Sequence, residues 1–207
     1  MKKSSIALFA FLTLLAAAAP LHAQDAVEPE PIAEPGDDPF APPAKPISAA
    51  LLLGFGTTIG EDANFYGVGI GVRGGYNLGR LYLGGRFVYH LGGSDEVVTG
   101  GFNTLEVDYN VWLLGAEAGY DFLVADRFTV RPGVILGIAN FSASSDGAVF
   151  GAGLSESDTK LLFSLVGSGF YDITPDIFLG GELQFPIALG GESVVGLIIN
   201  ATGGMRF

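Results

Sequence analysis

From residue 47 to the C-terminus, large apolar side chains alternate with glycine, alanine or single polar residues. Residues 67–90, GVGIGVRGGYNLGRLYLGGRFVYH, show two such runs on either side of a turn-forming segment, 77–80. A period of two is typical of β-strands, because successive side chains point to opposite faces. The pattern therefore predicts an all-β domain built from hairpins.

The alternation divides this part of the chain into eight predicted strands. They cover residues 47–59, 66–77, 81–91, 103–120, 128–141, 159–171, 177–189 and 194–207. Their connections alternate between short turns and longer segments rich in Gly, Ser and Asp. An even number of antiparallel strands with alternating loop lengths is typical of a transmembrane barrel. We therefore expect an eight-stranded, antiparallel, up-and-down transmembrane β-barrel.

The two faces of each predicted strand indicate which side meets lipid. In the strand 177–189, large apolar residues alternate with Gly180, Glu182, Gln184 and Ala188. A soluble, lipocalin-like barrel would bury the apolar face and cover its outside with Lys, Glu and Thr. The small, charge-poor face here suits a narrow lumen instead, which leaves the apolar face in lipid. Closure of the sheet would also remove unpaired edges, which hydrocarbon does not tolerate.

The strand 103–120 does not keep one phase. Trp112 and Leu114 belong to the predicted lipid face, whereas Val107 and Val111 take the opposite parity. Either a bulge shifts the phase near residue 110, or the first part of this strand lies above the membrane.

Aromatic residues are predicted to form belts at the two membrane interfaces. The belt at the short-turn rim comprises Tyr76, Tyr120, Phe128, Tyr171 and Phe207, and the belt at the long-loop rim comprises Tyr66, Tyr89, Phe102, Tyr109 and Phe141.

The N-terminal part of the chain differs in composition from the barrel, 47–207. Residues 1–23 have two lysines, an apolar run and a small-residue end, which predicts a secretory signal peptide. Residues 24–46 contain seven prolines and six acids, which predicts a disordered acidic tether. The chain has no cysteine, which excludes disulfides. A net charge of −12 argues against a nucleic-acid partner.

Charged residues on the small face are candidates for a lumenal polar network. The network comprises Arg73, Arg86, Glu117, Arg131, Glu182 and Gln184. Charges inside so narrow a barrel must pair, because an unpaired buried charge costs several kcal/mol. Arg73 and Arg86 lie on neighbouring strands and would repel. Glu117 or Glu182 is therefore expected within salt-bridge distance of at least one of them.

The sequence provides little support for catalysis or cofactor binding. After the signal peptide the chain has one histidine, His90, followed by Ser94 and Asp95, which leaves a lipid-modifying enzyme as one interpretation. No catalytic residue, metal site or cofactor is predicted. Acidic residues of the longer loops would keep them soluble or would collect divalent cations. They are Glu61, Asp62, Asp95, Glu96, Asp146, Glu156, Asp158 and Glu192.

The strand pattern, the segment GAEAGYDF at 115–122 and the C-terminal GLIINATGGMRF resemble the small eight-stranded outer-membrane β-barrels of the OmpA/OmpX type. The resemblance implies a bacterial outer-membrane location, with lipid and lipopolysaccharide around the barrel and the tether in the periplasm. It also implies that Phe207 is part of the signal read by the barrel assembly machinery. Interior salt bridges that switch partners are implied by the same resemblance.

These features predict a non-enzymatic, monomeric barrel and leave its function open between two hypotheses. The first is a structural or surface-interaction role in the envelope, with a salt-bridged and largely plugged lumen. The second is a narrow channel for small or apolar solutes, in which the interior salt bridges exchange partners to open a water path. The His90-dependent lipid-modifying enzyme is a third interpretation.

Overall fold

The computed structural model describes residues 44–60, 64–99, 103–145 and 154–207. The predicted signal peptide, 1–23, and residues 24–43 of the predicted tether lie outside the described residues. Nine strands occur in the described ranges. They are β1 (Ile47–Ile59), β2 (Val68–Leu78), β3 (Leu81–Thr99), β4 (Asn103–Tyr120), β5 (Phe122–Ala125), β6 (Phe128–Ser145), β7 (Leu154–Asp172), β8 (Ile177–Leu189) and β9 (Val194–Arg206).

Eight of these strands form a closed antiparallel barrel. Neighbours follow the order β4-β3-β2-β1-β9-β8-β7-β6, and β4 also pairs with β6, which closes the ring. The four-residue β5 follows β4 in the chain and pairs with the start of β6. The predicted eight-stranded, all-β barrel is therefore confirmed.

Two hairpins are longer than predicted. β3 and β4 stay paired as far as Thr99 opposite Asn103, and β6 and β7 as far as Ser145 opposite Leu154. The expectation of loops over residues 92–99, 142–145 and 154–158 was wrong. Backbone pairing continues past the apolar part of a strand because the ladder needs only N–H and C=O groups.

The strand β4 keeps one phase, and the irregularity of the β3–β4 hairpin lies on β3. The register between the two strands shifts between Leu91 and Ser94, whereas β4 pairs with β6 without interruption over residues 107–119. No bulge interrupts that part of β4, and Val111 is fully buried and points inward. Gly92 allows the irregularity, since a β-carbon there would lie 2.6 Å from two backbone carbonyl oxygens. A bulge near residue 110 was one of two interpretations of this strand, and it is wrong for β4, because the irregularity lies between Leu91 and Ser94 of β3.

The outside of the barrel is strongly apolar. Outward-facing side chains such as Leu51, Ile70, Leu136, Leu161 and Ile199 are each about 60% exposed or more. Soluble monomers rarely expose contiguous apolar patches of more than a few hundred Å². This surface is suited to the hydrocarbon of a bilayer.

The aromatic residues divide differently from the prediction. At the short-turn rim Tyr76, Phe128 and Tyr171 point outward, as an interfacial belt requires. Tyr66 and Phe141, which were assigned to the other belt, are buried inside the barrel, so that assignment was wrong. The rings of Tyr66 and Phe141 help to fill the lumen between facing strands.

Within the described ranges, no helix is long and apolar enough to cross a membrane.

Candidate functional site

Four charged side chains meet in the middle of the lumen. Arg73 of β2 and Arg86 of β3 are direct partners in the strand register. Glu117 projects from β4, the next strand round the barrel, and Glu182 projects from β8 on the other side. All four side chains are at most 3% exposed. We call these two arginines and two glutamates the central quartet.

Arg86 joins both carboxylates of the central quartet. Its Nε and Nη2 atoms donate to Glu117 Oε2 at 2.9 and 2.6 Å. Its Nη1 and Nη2 atoms donate to the two oxygens of Glu182 at 2.5 and 2.9 Å. The contact with Glu182 is bidentate, and charge-assisted hydrogen bonds of this kind are among the strongest in proteins. The arginine is therefore fixed from both sides of the barrel.

Arg73 completes the charge balance of the quartet. Its Nη1 atom lies 3.0 Å from Glu182 Oε2 and 3.5 Å from Glu117 Oε1. Two positive and two negative charges thus offset one another where desolvation would make an unpaired charge costly.

Neutral polar groups surround the quartet. Gln184 Oε1 accepts a hydrogen bond from Arg86 Nη1 at 3.2 Å. Ser168 Oγ and Asn200 Nδ2 donate to the two oxygens of Glu182 at 3.2 and 3.1 Å. Glu182 is consequently held by neighbours from β7 and β9 as well as by the two arginines.

Arg131 does not belong to the central quartet. Its Nε and Nη2 atoms donate to the two oxygens of Asp121 at 2.5 and 2.7 Å, and Nη2 also donates to Asn77 Oδ1 at 3.1 Å. Its guanidinium carbon lies 3.9 Å from the ring centroid of Tyr82. The six sequence-predicted residues therefore divide into five that meet at the centre and one nearer the short-turn rim.

The partners of Arg131 are not among the residues predicted from the sequence. Tyr82 has the parity of Arg86 and lies four residues before it, so the alternation was sufficient to place it inward. Asn77 was assigned to a turn, and Asp121 follows the end of β4, where the alternation gives no information. No sequence signal of this kind links Asp121 to Arg131.

The glycines of the small face make room for large inward side chains. A β-carbon on Gly119 would lie 2.8 Å from Cγ of Arg131, and one on Gly196 would lie 2.5 Å from Cε2 of Tyr66. A real β-carbon essentially never approaches another heavy atom so closely. Glycine on one strand therefore leaves the space that Arg131 of another strand, or Tyr66 just before β2, occupies.

The long-loop half of the lumen is apolar. The apolar inward side chains there form one buried cluster, which we call the outer apolar cluster. It comprises Tyr66, Val111, Leu113, Ile135, Ala139, Phe141, Leu162, Val166, Ala188, Val194 and Ile198. Large apolar residues were predicted to mark the lipid face, and in this half of the barrel that prediction is wrong.

His90 lies inside the barrel beside the outer apolar cluster. Its side chain is fully buried, and its ring centroid is 5.6 Å from that of Tyr66 in an edge-on arrangement. An enclosed imidazole has no surface on which a lipid could reach it.

Among the described residues, no group of three or more His, Cys, Asp or Glu side chains is arranged to hold a metal ion.

Several of the predicted loop acids gather at the long-loop mouth. Glu156, Asp158 and Glu192 line a cavity of about 370 Å³ together with Lys160 and Phe141. The Lys160 ammonium lies 3.6 Å from Asp158 Oδ2 and also donates to the backbone carbonyl of Glu192. Three further predicted acids, Glu61, Asp62 and Asp146, lie outside the described residues.

The closed ring of eight antiparallel strands, apolar outside and polar at its centre, defines the class of small transmembrane β-barrels. Solved structures of this class are similar to the chain. Neisserial surface protein A matches with a TM-score of 0.55 at 17% identity, over 78% of this chain and 96% of that one. A major outer membrane protein of Thermus thermophilus matches with a TM-score of 0.60 at 13% identity, over 80% and 100% of the two chains.

A third similar structure is Ail, the attachment invasion locus protein of Yersinia pestis, in complex with the heparin analogue sucrose octasulfate. Its TM-score is 0.52 at 14% identity, over 79% of this chain and 97% of that one. No family model matches the sequence. No curated protein matches it either. The fold is therefore that of the small outer-membrane barrels.

Proposed function

We propose that the chain is a non-enzymatic protein of the bacterial outer membrane whose lumen is closed to solutes. Its role is structural or lies in surface interaction. The observation that carries the proposal is the filling of the lumen by two successive layers. The central quartet occupies the middle of the barrel, and the outer apolar cluster occupies the half beyond it.

The two layers block passage for different physical reasons. Ions that cross the quartet would have to displace arginine–carboxylate pairs that are almost fully buried. Water that crosses the outer apolar cluster would lose its hydrogen bonds against Val111, Leu113 and Ile135. The channel hypothesis needs both layers to open together, so the closed barrel is the better-supported function.

The orientation of the barrel in the membrane follows from the lengths of its hairpins. The short turns at one rim would face the periplasm, together with the tether 24–46, and the long β3–β4 and β6–β7 hairpins would rise from the cell surface. Two of the similar proteins are named for the cell surface and for attachment, which favours these hairpins as the contact region. Outer-membrane lipid and lipopolysaccharide would surround a monomeric barrel, and the assembly machinery would read Phe207.

Planar-bilayer recording of the purified protein tests the closed lumen. We expect no discrete conductance steps, with a trimeric porin recorded in the same bilayers as a positive control. Reproducible steps from the wild-type protein would overturn the closed-barrel proposal and favour the narrow channel.

Membrane fractionation tests the location. We expect the protein in the outer-membrane fraction and a heat-dependent shift of its gel mobility, because a folded barrel stays compact in detergent until it is heated. Recovery of the unheated protein in the aqueous fraction without detergent would contradict a membrane location.

A further inference from the structure

A small cavity lies between the central quartet and the short-turn rim. Its volume is about 10 Å³, and Arg73, Arg131, Arg206, Asn77 and Ser48 line it together with two phenylalanine rings and one alanine. Three guanidinium groups thus face one cavity, and none of the described carboxylates lines it. The lining residues of the cavity are therefore positively charged or neutral.

The acids that pair with these arginines lie away from the cavity. Arg73 contacts the glutamates of the central quartet. Arg131 contacts Asp121, and Arg206 Nη1 lies 2.8 Å from Asp172 Oδ1. Each guanidinium is held in place by an acid outside the lining, so its orientation does not depend on a ligand.

The same guanidinium groups lie over aromatic rings. The guanidinium carbons of Arg73 and Arg131 lie 5.0 and 5.1 Å from the ring centroid of Phe170, and that of Arg206 lies 5.1 Å from that of Phe178. The N–H donors of a guanidinium project in its own plane. Each guanidinium has five such donors, and the contacts with the acids and with Asn77 use at most three of them on any of these arginines, so others can donate to a ligand in the cavity.

We propose that this cavity binds one monatomic anion, with chloride as the physiological ligand. The volume is about that of one water molecule, so a monatomic anion is the anion that needs the least movement of the lining side chains, and polyatomic anions such as phosphate do not fit. Positive charge that is shielded from bulk water attracts an anion more strongly than the same charge at a surface. This inference goes beyond the proposed function, because a closed barrel needs no ligand.

Anomalous diffraction from crystals grown with bromide in place of chloride tests the site directly. We expect an anomalous peak between Arg73, Arg131 and Arg206. A cavity that holds only water, without an anomalous peak, would overturn the proposal while leaving the closed lumen intact.

A carboxylate placed in the cavity provides a second test. We expect heat unfolding of the wild-type protein in neutral detergent to have a higher midpoint in chloride than in gluconate at equal ionic strength. Ser48→Asp should abolish this difference, because its carboxylate replaces the anion. Ser48→Asn, which is uncharged and isosteric with the aspartate variant, should keep the difference, as should Arg80→Gln, whose arginine does not line the cavity.

Equal midpoints of the wild-type protein in the two salts would overturn the proposal. A chloride effect that persists in Ser48→Asp would place the ion elsewhere and would also overturn it. If Ser48→Asp does not fold, the bromide crystals and the wild-type comparison still decide the question.

Discussion

At the scale of single residues, Arg86 is the centre of the lumenal network. It is the arginine that contacts both glutamates of the quartet at 2.9 Å or less. Removal of one partner from a buried pair leaves an uncompensated charge, which costs more than the pair contributes when intact. The stability of the barrel should therefore depend on the balance of the quartet more than on any one contact.

Arg86→Met tests this balance. We expect a loss of about 3–5 kcal/mol in the free energy of unfolding, because two buried carboxylates then share one arginine. The double variant Arg86→Met/Glu117→Gln should lose much less, since it leaves the Arg73–Glu182 pair at 3.0 Å. Urea unfolding in lipid vesicles, followed by the fluorescence of the single tryptophan, Trp112, measures both.

A double variant no more stable than Arg86→Met would contradict the charge-balance argument. Such a result would mean that the lost hydrogen bonds of Arg86, and not an unpaired buried charge, determine the loss in the free energy of unfolding.

Gly196 illustrates a second residue-scale requirement, the space for a neighbouring ring. We expect Gly196→Ala to cost about 1–3 kcal/mol, because the new methyl group would overlap Tyr66 in a filled lumen. Gly167→Ala is the matched control, since no atom of the described residues lies within 4 Å of a β-carbon there, its chain neighbours aside. Its effect should stay within about 0.5 kcal/mol in the same urea assay. Similar losses in the free energy of unfolding of the two variants would show that overlap with Tyr66 does not cause the loss in Gly196→Ala.

At the scale of the elements, β4 shows how the interior determines the pattern of a strand. It carries Glu117 in the centre of the lumen and Val111 and Leu113 in the outer apolar cluster, all on one face. The strand keeps one phase from residue 107 to residue 119, and only the polarity of its surroundings changes along the barrel axis. The alternation of apolar and polar residues along a barrel strand therefore distinguishes the lipid face from the lumenal face only where the lumen is polar.

Cysteine scanning of β4 checks this phase, because the native chain contains no cysteine. A lipid-soluble maleimide should label Trp112→Cys and Leu114→Cys and should leave Val111→Cys and Leu113→Cys unlabelled in folded protein. Denatured samples of each variant give the full extent of labelling. Labelling of Val111→Cys at the level of Leu114→Cys would indicate a phase shift within the strand.

Much of the fold could be predicted from the sequence because alternation and turn chemistry are local properties. The bounds of β1, β4 and β8 agree with the predicted strands. The burial of Tyr66 could not be predicted, because it depends on neighbours from distant parts of the chain, such as His90, Phe141 and Gly196. The contact of Arg131 with Asp121 was missed because Asp121 lies beyond the end of its strand.

At the scale of the whole molecule, the lumen has a polar centre and an apolar outer half. A barrel gated by salt bridges alone would open when the central quartet is altered. In this molecule the outer apolar cluster stays closed beyond the quartet, so the two layers can be tested separately.

Arg86→Met/Glu117→Gln tests which layer is the barrier. We expect no conductance steps in planar bilayers, because Leu113, Ile135 and their neighbours still exclude water. Addition of Tyr66→Ala and Ile198→Ala to this background should produce steps, since both layers are then thinned. Steps from the charge variant alone would show that the salt bridges are the barrier, as the gate hypothesis requires.

The two ends of the barrel domain meet along one seam. The amide of Phe207 donates to the carbonyl of Ile47 at 2.8 Å, next to the pairing of β1 with β9. This pairing joins the parts of the domain that are farthest apart in the chain, so it carries the largest loop-closure entropy. The barrel can therefore close only after β9, the last strand in the chain, is available to pair with β1. Since the ends already touch, a circular permutant joined at this seam and opened in the β2–β3 turn should reach the same fold by a different order of pairing.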